Sequence, residues 1–180
     1  MIESLAERIR DKWWPVYYPR LPEITTAASL AHHEFLRSVK WMYLEDVDLA
    51  SVPAEHLASL AACVTGGVYI YNVSNTDLTS ILDSCKSEVL DIDNQSLSTE
   101  ETRGLVRAMA NVVKVTLGDR GEVTVDIITL VTYGGRGKCK KIRFYNNTAV
   151  KYREDVRRWA KTIFWRVTRD DRNIIIIERK

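Results

Sequence analysis

Val89-Leu90-Asp91-Ile92-Asp93-Asn94-Gln95-Ser96-Leu97, followed directly by Ser98-Thr99-Glu100-Glu101-Thr102-Arg103-Gly104-Leu105-Val106-Arg107-Ala108-Met109, carries two hydrophobic periods in succession. Leu90 and Ile92 alternate with Asp91 and Asp93, the period of a half-buried strand, whereas Leu105, Ala108 and Met109 recur at helical spacing. Ser98 and Glu101 have the spacing of a capping box, which predicts where the helix starts. The strand phrase, apolar–variable–apolar, recurs as Met42-Tyr43-Leu44, Val68-Tyr69-Ile70, Val115-Thr116-Leu117 and Ile142-Arg143-Phe144. Its last apolar residue steps by 26, 22, 25 and 27 residues from Leu44 to Phe144. A period of about 25 residues predicts a stacked strand-plus-helix solenoid, α/β in class, with parallel strands on one face and helices on the other.

The remaining units read outward from this one. In the first, Trp41 to Glu45 lead through Val47 and Leu49 to a helix over Pro53 to Leu60, with Val52, Leu57, Leu60 and Ala61 facing inward. In the second, Val68 to Ile70 and Val73 precede a helix from Asp77 that carries Leu78, Ile81 and Leu82. The fourth, Gly118 to Gly137, reads as irregular, with glycines where a helix would continue. Ahead of the repeats, Ile2, Leu5, Ile9 and Trp13 share one helical face, Pro15 ends that helix, and a proline-rich link leads to a second helix capped by Thr25 or Thr26. Residues 1–38 are therefore expected to form an N-terminal helical cap sealed by Trp13, Trp14, Tyr17 and Tyr18, and residues 39–145 the repeat units. Residues 146–180 are expected to form a C-terminal cap. Its helix runs from Thr148 to Ile163 with Val150, Val156, Trp159 and Ile163 apolar, and its hairpin pairs Phe164–Thr168 with Asn173–Glu178 across Arg169 to Arg172.

On Leu90, Ile92, Gln95, Leu97, Glu101, Leu105 and Ala108-Met109, the third unit resembles the leucine-rich repeat of the ribonuclease-inhibitor type, as found in the C-terminal regions of NOD-like receptors. Gln95 stands where that family prefers Asn or Cys, and the resemblance extends over residues 39–160, with Val47 and Val73 at the corresponding places of the first two units. The resemblance implies a concave strand face that holds a protein partner. It also implies a setting in innate immune recognition or ubiquitin-type regulation.

Composition excludes several other classes. At 180 residues, 46% hydrophobic and 28% charged, the chain has the make-up of a globular domain able to bury its own core. The longest aliphatic run, Ile174 to Ile177, falls far short of the ~20 residues of a membrane span, and Met1-Ile2-Glu3 opens without the pattern of a signal peptide. Cys63, Cys85 and Cys139 are too dispersed for a disulfide framework or metal knuckle, so a reducing, cytoplasmic setting is expected, with Cys63 and Cys85 as small buried thiols and Cys139 as an exposed, modifiable one. Asn72-Val73-Ser74, Asn94-Gln95-Ser96 and Asn146-Asn147-Thr148 match the glycosylation pattern, which would be silent there. The net charge of +2 conceals an asymmetry: residues 1–133 carry 11 basic and 19 acidic side chains, residues 134–180 carry 15 and 5.

Catalytic patterns are weak. His32 and His33 are adjacent and point to different sides of a helix, and His56 has no companion at ligand spacing, so no metal or other cofactor is expected. Gly134-Gly135-Arg136-Gly137-Lys138-Cys139 is too short for a phosphate-binding loop and reads as an inter-repeat turn. Cys139, flanked by Lys138, Lys140 and Lys141, is the one thiol with basic neighbours and carries the alternative of an enzyme with a thiol site.

Alternation gives sharper candidates. Tyr43, Glu45, Tyr69, Tyr71, Asp91, Asp93, Thr116, Gly118, Arg143 and Tyr145 should face away from the core as a strip of tyrosines with an acidic centre. Tyr and Arg anchor protein interfaces. A second patch, Lys138, Lys140, Lys141, Lys151, Arg153, Arg157, Arg158 and Lys161, offers the alternative of nucleic-acid or acidic-partner binding, against an internal pairing role for the same charges. The favoured expectation is a non-enzymatic protein-binding module that uses the strip, with no membrane and no small-molecule substrate.

Overall fold

Each apolar–variable–apolar phrase folds as a short strand because its alternate side chains can all be buried on one side. The computed structural model describes residues 16–17, 40–46, 48–50, 53–74, 77–134, 137–161 and 164–180. The chain runs β1 (Val16–Tyr17), β2 (Trp41–Glu45), α1 (Ala54–Cys63), β3 (Gly67–Tyr71), α2 (Thr79–Ser84), β4 (Val89–Asp93), β5 (Gln95–Ser96) and α3 (Thr99–Ala108). It continues through β6 (Lys114–Leu117), β7 (Val123–Thr124), α4 (Ile127–Tyr133), β8 (Lys141–Tyr145), α5 (Asn146–Ala160), β9 (Trp165–Asp171) and β10 (Ile174–Arg179). Apart from the backbone of β1, the expected N-terminal cap lies outside the described residues, with its two helices, its aromatic cluster and the His32–His33 pair. So do Val47, Val52, Gly135, Arg136, Ile163 and the His56 side chain.

The main sheet has the order β1-β2-β3-β4-β6-β8-β10-β9. Its first six strands are mutually parallel and its last two antiparallel, so the fold is α/β with a mostly parallel, open sheet and no barrel. Met42, Val68, Leu90, Val115 and Ile142 are successive Cα partners, as are Leu44, Ile70, Ile92, Leu117 and Phe144. All ten are at most 1% exposed. Against them pack Leu57, Leu60 and Ala61 of α1, Ile81 and Leu82 of α2, Leu105 and Ala108 of α3, Leu130 of α4, and Tyr152, Val156 and Trp159 of α5. Consecutive helices touch one another, so they form a layer on the side of the sheet that these residues face.

Each of the main-sheet strands β2, β3, β4, β6 and β8 is followed by a left-handed residue: Asp46 (φ 52°), Asn72 (φ 48°), Asn94 (φ 43°), Gly118 (φ 81°) and Asn146 (φ 49°). Asn and Asp tolerate this region at the least cost among residues with a Cβ. The corners are tied together, since Asn72 Nδ2 donates to Asp46 Oδ1 at 2.7 Å and Asn94 Nδ2 to Asn72 Oδ1 at 3.2 Å. Asn146 Nδ2 donates to the carbonyls of Gly118 and Asp119. Behind the corners, β5 and β7 form a second small parallel ladder, and Asp48 bridges to Ser74.

Several boundaries differ from expectation. The fourth unit does carry a helix: Asp126 caps Thr129 N and starts α4, which stops at Gly134. In α5, Val150 points outward at 57% exposure, and the buried stripe is Ala149, Tyr152, Val156 and Trp159, because Tyr152 OH reaches back to the Val125 backbone. The hairpin turn is only Arg172-Asn173, since pairing between β9 and β10 reaches Asp171 with Ile174, and β10 joins β8 in the main sheet. Among the described residues no helix is long and apolar enough to cross a membrane.

The capping box on α3 is present, and Glu101 does more than close it. Glu101 Oε2 accepts from Ser98 N at 2.8 Å, while Oε1 accepts from Leu78 N of the preceding unit at 3.0 Å. Glu101→Ala strips an acceptor from one buried backbone donor, Leu78 N, and one partly buried one, Ser98 N, and is expected to cost about 2–4 kcal/mol in urea unfolding. Glu101→Gln, which keeps one carbonyl oxygen, should lose roughly half as much; equal stability of all three chains would refute the double role.

Candidate functional site

The strand positions that alternate with the core residues come together on the opposite face of the sheet. Tyr43, Tyr69, Asp91, Thr116 and Arg143 are successive Cα partners across β2, β3, β4, β6 and β8. Glu45, Tyr71 and Asp93 form the row beside them, and Tyr145 pairs with Ile174 of β10. The Tyr43 and Tyr69 rings lie 5.2 Å apart, and Tyr71 stacks on Tyr69 at 6.3 Å. Stacked in-register strands thus turn three isolated tyrosines into one aromatic cluster.

A loop from the fourth unit folds onto this cluster. Gly118 makes the turn, Asp93 Oδ1 accepts from Arg120 N at 3.0 Å, and Gly121 runs so close to Asn94 that a Cβ would lie 2.6 Å from the Asn94 Cβ. The Arg120 guanidinium is thereby set 5.1 Å from the centre of the Tyr69 ring, with Nη1 3.2 Å from Glu45 Oε1. Arg120 has no sequence motif; the only trace is its place between Gly118 and Gly121.

This arrangement corrects two expectations. Asp93 is fully buried and anchors the loop, so it is no part of an open acidic patch, and Gly118 is a corner rather than a face position. Tyr69 and Thr116 are also buried, at 6% and 3% exposure, leaving Tyr43, Glu45, Tyr71, Asp91, Arg143 and Tyr145 half-buried around them.

The face is polar but poorly satisfied. Tyr69 OH, Asp91 Oδ1, Asp93 Oδ2, Thr116 Oγ1 and Arg143 Nε are buried atoms that find no hydrogen-bond partner among the described residues. Buried polar atoms are ordinarily partnered, and each orphan costs about 1–3 kcal/mol, so this row is held at a cost in stability; what it presents outward are the half-buried side chains of Tyr43, Tyr71, Asp91 and Arg143. Burial, aided by the charges of Asp93 and Asp119, pushes the Asp91 carboxyl up to about 7. Burial likewise holds Asp93 and the Tyr69 hydroxyl above their ordinary values, and holds Lys114, beside Arg143, below its own. The β2–β4 end of the face is therefore acidic and aromatic, and the β6–β8 end basic.

Much of the proposed basic patch is engaged within the chain. Arg153 pairs with Asp170, Arg157 reaches Asp170 at 2.6 Å and Glu154 at 2.7 Å, and Lys151 meets Glu122 at 2.8 Å. Lys141 pairs with Glu178 at 2.6 Å and Arg158 with Asp155 at 3.7 Å, while Lys138, Lys140 and Lys161 are exposed. Cys139 is a core thiol, 2% exposed, with Sγ donating to the Lys141 carbonyl. Burial pushes it up to about 11, the opposite of what a thiolate nucleophile needs. Cys85 is likewise buried beside Ser87, whereas Cys63 is half-buried. Among the described residues no cluster of His, Cys, Asp or Glu is placed to hold a metal ion.

No family model, curated protein or solved structure matches the chain. Its chemistry has to be read from its own geometry.

The folded state raises the Asp91 carboxyl from 3.8 to about 7, so the native chain holds a proton that the unfolded chain releases. Stability from this group is fully present below the unfolded value and is lost as pH rises to about 7. Asp91→Asn, which stays neutral, should therefore gain on the wild type between pH 4.5 and pH 8 in paired thermal unfolding curves. A difference in Tm that stays constant or moves the other way would contradict the raised value.

Proposed function

We propose that the chain is a short leucine-rich-repeat-like solenoid that binds a protein partner on its strand face and catalyses no reaction. One observation carries this reading: the register row Tyr43, Tyr69, Asp91, Thr116 and Arg143, which sets half-buried tyrosine, aspartate and arginine side chains side by side on the sheet face away from the helices. Such a row combines the residue types that anchor interfaces with charged groups of both signs, which a polypeptide can engage along its length. The parallel register and the one-to-one sequence of strands and helices support the solenoid reading. The basic patch supports the nucleic-acid alternative less well, because five of its eight charges are already in ion pairs. Regulation of an innate immune kind, in the cytoplasm, is the setting that the family resemblance implies, and it rests on analogy of fold.

Tyr43→Ala with Tyr71→Ala removes two half-buried rings while leaving the buried Tyr69 in place. Capture from cognate lysate at two salt concentrations should yield a salt-resistant protein partner cross-linked to β2–β4, held at least about thirtyfold more weakly by the variant. Partners retained equally by both chains would refute the reading, as would nuclease-sensitive material lost from both at the higher salt.

A further inference from the structure

Arg120 occupies the acidic, aromatic end of the strand face in the manner of a ligand. Its backbone is fixed by Asp93, yet its side chain is 57% exposed and lies across Tyr69 to Glu45. Exposed contacts between a guanidinium and a ring or a carboxylate are weak, so the side chain can leave without the loop moving. The seat offers more acceptors than Arg120 uses. Asp91, the half-buried Cα partner of Tyr69, is left aside by Arg120, whose Nη1 goes to Glu45 instead. The ionisable groups around the seat, Glu45, Asp91, Asp93 and Asp119, are all carboxyls apart from Arg120 itself, with Asp91 giving up its proton only as pH rises to about 7, while Lys114 and Arg143 lie one and two strands beyond Asp91. A guanidinium suits this seat better than an ammonium, since it stacks flat on tyrosine and carries a fork of donors for carboxylates.

We infer that the seat formed by Tyr43, Glu45, Tyr69, Tyr71 and Asp91 takes an arginine side chain from a basic segment of a protein partner, and that Arg120 is the resident occupant which that arginine displaces. The inference rests on the strand face being an interaction surface and adds the chemistry of what it recognises. Arg120 then acts as an internal competitor, lowering affinity and rejecting partners that bring no arginine.

The direct test uses the full chain and a fluorescent arginine–glycine peptide, with lysine and glutamate counterparts, read by anisotropy. Arg120→Ala is expected to bind the arginine peptide about three- to tenfold more tightly than wild type, because one weak cation–π contact and one exposed ion pair no longer compete. Adding Glu45→Gln to that chain should reverse the gain, and the glutamate peptide should bind neither. Arg120→Gln, closer in length to the native side chain, must repeat the gain if Arg120→Ala alters the unfolding curve. Equal or weaker binding of the arginine peptide by the Arg120 variants overturns the inference. Partner capture that depends on Tyr43 and Tyr71 would still stand in that case, since it does not depend on which cation fills the seat.

Discussion

In-register parallel pairing is the constraint from which the rest of the molecule follows. Because Leu44, Ile70, Ile92, Leu117 and Phe144 lie side by side, a position that is apolar in one unit has to be apolar in its neighbours, or the core opens. The same rule acts on the other face, where like positions are stacked whether or not their residues suit one another. Tyr43 and Tyr69 gain from this neighbourhood through ring contact; Asp91 suffers from it, held among buried groups and near the negative charge of Asp93.

Parallel strands also leave the connections between strand and helix without regular hydrogen bonds, and neighbouring units supply them. Gln95 accepts from Val73 N and donates to Val73 O, Glu101 accepts from Leu78 N, Thr148 accepts from Val123 N, and Tyr152 OH bridges both backbone groups of Val125. All of these side chains lie 22 to 27 residues from the backbone they serve, one unit further along the chain. A buried backbone group requires a partner, so each unit is completed by the next.

The strands and most helices were legible because alternation and helical spacing are local signals, and the box formed by Ser98 and Glu101 marks its helix start within four residues. That Val150 faces outward is not legible, because the helix orients on Tyr152, whose hydroxyl partner lies 27 residues away. The face was legible in outline, since alternation sends Tyr43, Tyr69 and Asp91 to one side. Its chemistry was not. Arg120 meets Glu45 across 75 residues of sequence, and Asp93 is buried by the loop that carries Arg120, so neither fact has any local trace. The basic C-terminal segment looked like an open patch because its acidic partners, Asp170 and Glu178 among them, come close only when the hairpin folds back beside α5 and β8.

The corner residues carry a consequence for the life of the chain. Asn72, Asn94 and Asn146 each begin a triplet of the kind that accepts a sugar, and the atom that would be modified is the same Nδ2 that donates across the corner stack. Folding and glycosylation compete for one nitrogen at three places. A chain synthesised where sugars are attached would lose a donor at each modified corner, since a bulky glycan and a neighbouring corner cannot share that edge. The stack makes this architecture a poor traveller through a glycosylating compartment.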